Sequence, residues 1–159
     1  MLKYLYGADE IVAKFVSQMI PHCRRGFAPD ARAIGVLRDD KLVAGMVYHN
    51  FDIDAELIEM SGASIDPRWL TRETLARVYG YPFLQCDVQM TFMRVPAENE
   101  RLLRQLAAYN YTFMLVPRLF GRGMNGVLCT LTYEAWVANK FNRGVDHKLT
   151  TDALLEDAA

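Results

Sequence analysis

The chain has 159 residues, 52% of them apolar or aromatic, which is enough to close one ordinary core. A formal net charge of -1 provides no global positive field for a phosphate backbone, so nucleic acid is a poor partner. No run approaches the roughly 20 apolar residues that cross a bilayer, and "MLKYLYGADEIV" lacks the apolar stretch of a leader; a soluble cytoplasmic protein with no membrane contact is expected.

In chain order, Ile11, Val12, Phe15, Val16, Met19 and Ile20 recur at helical spacing, predicting a helix from Ala8 to Ile20 that stops at Pro21. "HCRRGF" follows and reads as a solvated loop carrying Arg24 and Arg25. "ARAIGVLRDDKLVAGMVYHNF" gives two β-rich runs turning at Asp39-Asp40-Lys41, an antiparallel hairpin. After a turn at Asp52 to Asp54, "AELIEMSGASI" is a third strand. Thr71 is an N-cap and Glu73 favours the first turn of a helix with Leu75, Val78 and Tyr79 on one face, which Gly80 and Pro82 interrupt.

"VQMTFMRV" is a fourth strand, bulky enough to be central. "AENERLLRQLAAYNY" is a helix burying Leu102, Leu103 and Leu106. "TFMLVPRLF" and "GVLCTLTY" are strands flanking "GRGMNG", and a short amphipathic helix with Trp136, Val137 and Phe141 follows. Residues 1–142 are expected to form one domain, with 143–159 a mobile or docked tail. The order is α/β with a mixed sheet.

Two patterns exclude chemistry. "GRGMNG" matches the dinucleotide fingerprint, but a strand follows it where that motif needs a helix, so it reads as a glycine-rich hairpin tip. Cys23, Cys86 and Cys129 lack zinc or redox spacing and read as small buried groups of a reducing compartment; His22 and His147 lack ligand-spaced partners, so no metal is expected.

The stretch "SIDPRWLTRETL" carries the functional signal. A strand ends, the chain turns and a helix begins, so free amides and the guanidiniums of Arg68 and Arg72 can converge on an anion such as a pyrophosphate. Asn99, near the start of the next helix, can offer an amide to a ligand lying between the two strands. The competing reading has both arginines solvated and Trp69 plugging the core.

The order of elements from about Ala33 to Thr132 resembles the GNAT superfamily of acyl-CoA-dependent N-acyltransferases. "PAENERLLRQLAAYNY" is similar to the family's N-x-x-A...L-G-F pattern, with Asn99 and Tyr111 at its ends, and "YPFLQ" and "VLCTLT" look like a divergent branch common in tailed bacteriophages and prophages. The resemblance implies a GNAT-like mixed, mostly antiparallel sheet flanked by helices, with a splayed central strand pair. It implies acetyl-CoA held by Ser61, Ala63, Ser64, Ile65, Arg68, Trp69, Thr71, Arg72 and Asn99, with Gly62 allowing close approach of the backbone. Two features depart from the family: "DPRWLTRE" has no phosphate-loop glycine, and Leu106 stands where many members place a tyrosine.

The expected activity is direct transfer of an acetyl group to a primary amine on a small molecule or protein. Glu59 and His49 are the candidate bases, and Tyr109 the candidate replacement acid; Tyr111 is read as packed. The alternative is a GNAT scaffold without catalysis, serving in protein interaction or as a phage structural module. An exposed C-terminal aromatic helix makes a homodimer plausible.

Overall fold

The computed structural model describes residues 1–142; the tail read at 143–159 lies outside them. The first element is a strand, β1 (Leu2–Leu5), where the sequence reading placed none. Tyr4 bonds Thr74 Oγ1 at 2.8 Å and Lys3 pairs with Asp40 at 2.8 Å, so side chains of opposite faces fix this short edge piece. The helix α1 (Asp9–Met19) follows, then a single 3-10 turn at Pro21–Cys23.

The predicted hairpin is β2 (Arg32–Arg38) and β3 (Lys41–Asp52). Asp39 and Asp40 both have positive φ, 52° and 61°, as a tight hairpin turn requires. The next strand is β4 (Leu57–Ser64), followed by α2 (Arg72–Gly80). Thr71 caps α2 as read, accepting from the Thr74 amide. Gly80 and Pro82 do not break the chain there: a π-helical turn, Tyr81–Gln85, continues directly from α2. Pro82 has no N–H to give the Val78 carbonyl, which accepts from the Tyr48 hydroxyl instead, so the helix widens there without ending.

The remaining elements are β5 (Met90–Pro96), α3 (Glu100–Ala108), β6 (Thr112–Val116), β7 (Gly126–Thr132) and α4 (Tyr133–Ala138). Together the strands form one seven-stranded sheet in the order β1-β2-β3-β4-β5-β7-β6. Every pairing is antiparallel except β4 with β5. Gly121 and Gly123 take positive φ in the β6–β7 loop, and β7 follows, so the glycine motif is the tip of a hairpin.

Helix α1 covers one face of the sheet through Val12 and Val16 against Ala33 and Val47. It lies close because Gly45 has no side chain; a Cβ there would meet Val12 at 2.6 Å and Val16 at 3.0 Å. The larger core fills the opposite face, where Val78, Phe83, Leu106 and Trp136 pack on Met46, Met60, Met93 and Leu131. Leu102 and Leu103 are only half-buried, unlike the predicted face, because Leu102 borders an open cleft. Trp136 is fully buried, so the exposed face of α4 carries Tyr133 and Val137 in place of the indole; the exposed apolar side chains Phe113, Met114 and Leu115 lie on β6.

Candidate functional site

The β4–β5 ladder holds for three pairs only, Leu57↔Met90, Ile58↔Thr91 and Glu59↔Phe92. Beyond Glu59 the strands separate, and a cavity of about 540 Å³ lies between them. The Ile65 amide donates to Val43 O, so alternation along the antiparallel ladder turns the groups of Ser61 and Ala63 to β3. The N–H and C=O of Gly62 and Ser64 therefore face the opening.

Five of the nine residues read as cofactor-binding line this cavity: Ser61, Ala63, Ser64, Trp69 and Asn99. Asn99 Oδ1 caps α3 by accepting from the Leu102 amide at 3.3 Å, which leaves its Nδ2 to meet a ligand. Ile65, Arg68, Thr71 and Arg72 do not line it. Ile65 is exposed, and the Thr71 hydroxyl is engaged by the Thr74 amide. Gly62 lines the cavity, but what its missing Cβ makes room for is Met46, whose Cε would lie 2.6 Å away.

The turn between β4 and α2 already contains an anion. Asp66 is buried, accepts from the Arg68 amide at 2.9 Å, and is paired with Arg38. The Arg68 bond and the Arg38 bond hold its carboxyl below the usual carboxylate range. Arg68 itself is 78% exposed with its Nε 3.8 Å from Asp66. Arg68 is therefore solvated beside an anion that the protein itself supplies.

At the vertex of the splay lies a polar cluster. Glu59 is 2% exposed and accepts from Arg94 Nε at 2.8 Å and from Asn50 Nδ2 at 3.0 Å. Buried between two donors, its carboxylate anchors Arg94 and has no open path to a substrate amine. His49 Nδ1 faces Asn50 Nδ2 at 3.3 Å, and Nε2 faces Ser61 Oγ at 2.9 Å. Because Asn50 Nδ2 is a donor, Nδ1 is the accepting nitrogen and Nε2–H donates to Ser61. Burial pushes the His49 pKa down, so the ring is neutral and both nitrogens are engaged. Neither base read from sequence is free to take a proton.

His22, which the sequence reading weighed only as a metal ligand, lines the cavity. Its ring packs on Phe120 with centroids 4.7 Å apart, and no hydrogen bond to its nitrogens occurs among the described residues. Burial, then the nearby Arg94, lower its pKa. Tyr109 also lines the cavity; its hydroxyl is buried without a hydrogen-bond partner, and burial raises its pKa to about 12. Tyr111 is packed as expected, its hydroxyl 2.6 Å from that of Tyr79. Among the described residues no cluster of His, Cys, Asp or Glu is able to hold a metal, and no helix is long and apolar enough to cross a membrane.

A splayed parallel pair within an otherwise antiparallel sheet is the decisive feature. The chain has the GNAT acetyltransferase fold. A chimera of spermidine N-acetyltransferase SpeG from Vibrio cholerae superposes with a TM-score of 0.68 at 10% identity, over 86% of this chain and 98% of that one. A dodecameric spermidine N-acetyltransferase from the same organism gives 0.67 at 10% identity over 91% and 98%. Ribosomal-protein-S5-alanine acetyltransferase from Vibrio fischeri gives 0.56 at 14% identity over 67% of this chain. This chain spans 63% of that protein's length and 63% of another acetyltransferase of the same fold. No family model matches the sequence, and no curated protein does.

Proposed function

We propose that the protein is an acetyl-CoA-dependent N-acetyltransferase acting on a primary amine. The observation that carries this reading is the ladder ending at Glu59↔Phe92, which opens a 540 Å³ cavity beside unpaired strand groups. The cavity suits a pantetheine arm: Gly62 and Ser64 offer backbone donors and acceptors, Ser61 and Ala63 are small, and Asn99 adds an amide. Phosphates would meet the first amides of α2 and the charges of Arg68 and Arg72. A cytoplasmic location goes with this reading, the host cytoplasm if a phage encodes it.

Acetyl-CoA is a substrate and supplies the thioester: the amine nitrogen bonds its carbonyl carbon, the C–S bond breaks and the amine loses a proton. His22 is proposed to take that proton, since its depressed pKa leaves the imidazole neutral at pH 7. Tyr109, the candidate replacement for the tyrosine that Leu106 replaces, has a buried hydroxyl with no open path to the thioester, so CoA leaves as the thiolate, which a thiol pKa of about 8.5 permits. Glu59 and His49 hold Arg94 and Ser61 in position.

Calorimetric titration with acetyl-CoA, using CoA for comparison, tests the binding half. Saturable micromolar affinity is expected, about tenfold weaker in the Arg68→Ala/Arg72→Ala variant, which loses two phosphate-directed charges. Unchanged affinity in that variant removes the α2 turn from the site. The catalytic half is read from pH. A base with a lowered pKa is active when deprotonated, so kcat/KM should rise to a plateau through a pKa below 6.5. His22→Gln should cost roughly 10²- to 10⁴-fold and abolish that inflection.

One observation favours a second reading, a GNAT scaffold without turnover. The Asp66 carboxylate occupies the Arg68 amide of the turn, and a negative charge there opposes a phosphate. Absence of binding at millimolar acetyl-CoA would select this alternative.

A further inference from the structure

Resting on the acetyltransferase reading, we propose that the acceptor carries a carboxylate beside its amino group, as a free amino acid does, and that Arg94 grips it. Arg94 lies on β5 just past the last β4–β5 pair, at the vertex of the opening. Its Nε is committed to Glu59 at 2.8 Å, and Glu59 is fixed in turn by Asn50. The guanidinium is thus oriented from behind, while its two Nη groups have no partner among the described residues and the side chain is 37% exposed. A guanidinium held by Nε presents a planar pair of donors, the geometry that takes a carboxylate in two parallel hydrogen bonds.

The surroundings carry the same sign. Among the described residues lining the cavity, Arg94 is the sole permanently charged side chain, and none of them is Asp, Glu or Lys. A polyamine entering it meets a fixed cation and no carboxylate among those residues. At the wall formed by His22, the exposed Arg24 and Arg25 follow two and three residues on. Phe120, its ring tilted at 52° against that of His22, brings in the loop that carries the exposed Arg118 and Arg122. None of these four arginines forms an ion pair among the described residues. A carboxylate at Arg94 leaves the neighbouring amine beside His22, the proposed base. Attack joins nitrogen to the acetyl carbon, releases the thiolate and passes one amine proton to the imidazole.

The test compares L-amino acids with their carboxamides and with spermidine as acceptors, with thiol release as the readout. Amino acids and carboxamides are also titrated calorimetrically into the protein without acetyl-CoA. Acids are expected to exceed amides by tenfold or more in kcat/KM and to bind more tightly, in line with a bond to a charged group. Arg94→Lys keeps a cation for Glu59 but loses the fork, so the acid-to-amide ratio should fall towards one. Arg94→Met with Glu59→Gln, which leaves no buried charge unpaired, should do the same. Equal use of acids and amides, preference for spermidine, transfer to no acid, or an equal loss on every acceptor in Arg94→Lys overturns the proposal. Failure of acetyl-CoA to bind would sink the transferase reading instead, and the calorimetric comparison of acid with amide would still decide whether Arg94 is a carboxylate site.

Discussion

Arg94→Met is expected to lower the unfolding free energy by about 3–5 kcal/mol, a loss larger than the net worth of the ion pair it removes. The reason is Glu59. At 2% exposure its carboxylate is cut off from water, and after the substitution only the Asn50 amide at 3.0 Å and His49 at 3.8 Å remain near it. His49 can charge to compensate, but burial opposes that, so the cost is relieved only in part. Adding Glu59→Gln removes the orphaned charge, and the double variant should regain most of the loss. Urea denaturation of both single variants and the double one measures the coupling directly. Additive losses would mean that Glu59 and Arg94 do not depend on each other, and the anchoring role assigned to Glu59 would be lost.

The order of elements was legible because each strand and helix carries its own period and punctuation. Asp39-Asp40 turned the hairpin, Thr71 capped α2, and "VLCTLT" declared the glycine motif a hairpin tip. β1 was missed because four residues are too few for a period; what holds it is the ladder to β2, with Thr74 and Asp40 meeting its side chains, and all of these lie far along the chain. The site was legible along β4 and at Asn99, where small residues and a helix cap are local features. At the α2 turn it was legible only in part. Arg68 and Arg72 advertise an anion, but the anion present is Asp66, and its partner Arg38 comes from another strand. Arg94 escaped notice and His22 was weighed only as a metal ligand for the same reason, since only the folded sheet brings the turn after α1 to the vertex of the splay. One local signal was available: Arg94 is the single charged residue of a central strand that is apolar apart from Thr91, and such a charge must be paired or used.

Trp136→Ala should be the most damaging single change in the apolar core, costing about 3–5 kcal/mol. Trp136 has no exposed surface; it stacks on Phe83 at 4.9 Å and 19°, and lies 6.1 Å from Tyr133. Phe83 belongs to the π-helical turn after α2, so the indole ties α4 to the element that follows the site's own helix. Its carbonyl also accepts from the Asn139 amide and the Asn142 side chain, which organises the chain around Phe141. Phe141 lines the site cavity and packs on Tyr109 at 5.5 Å. The truncated variant keeps that main-chain oxygen, but without the indole on Phe83 the whole of α4 loosens and the Phe141 wall with it, so affinity for acetyl-CoA should fall along with stability. Trp136→Phe fills part of the space and should restore more than half of the denaturation midpoint. If Trp136→Ala lowers stability by the expected amount but binds acetyl-CoA normally, the Phe141 wall is dispensable, and binding rests on β4 and Asn99 alone.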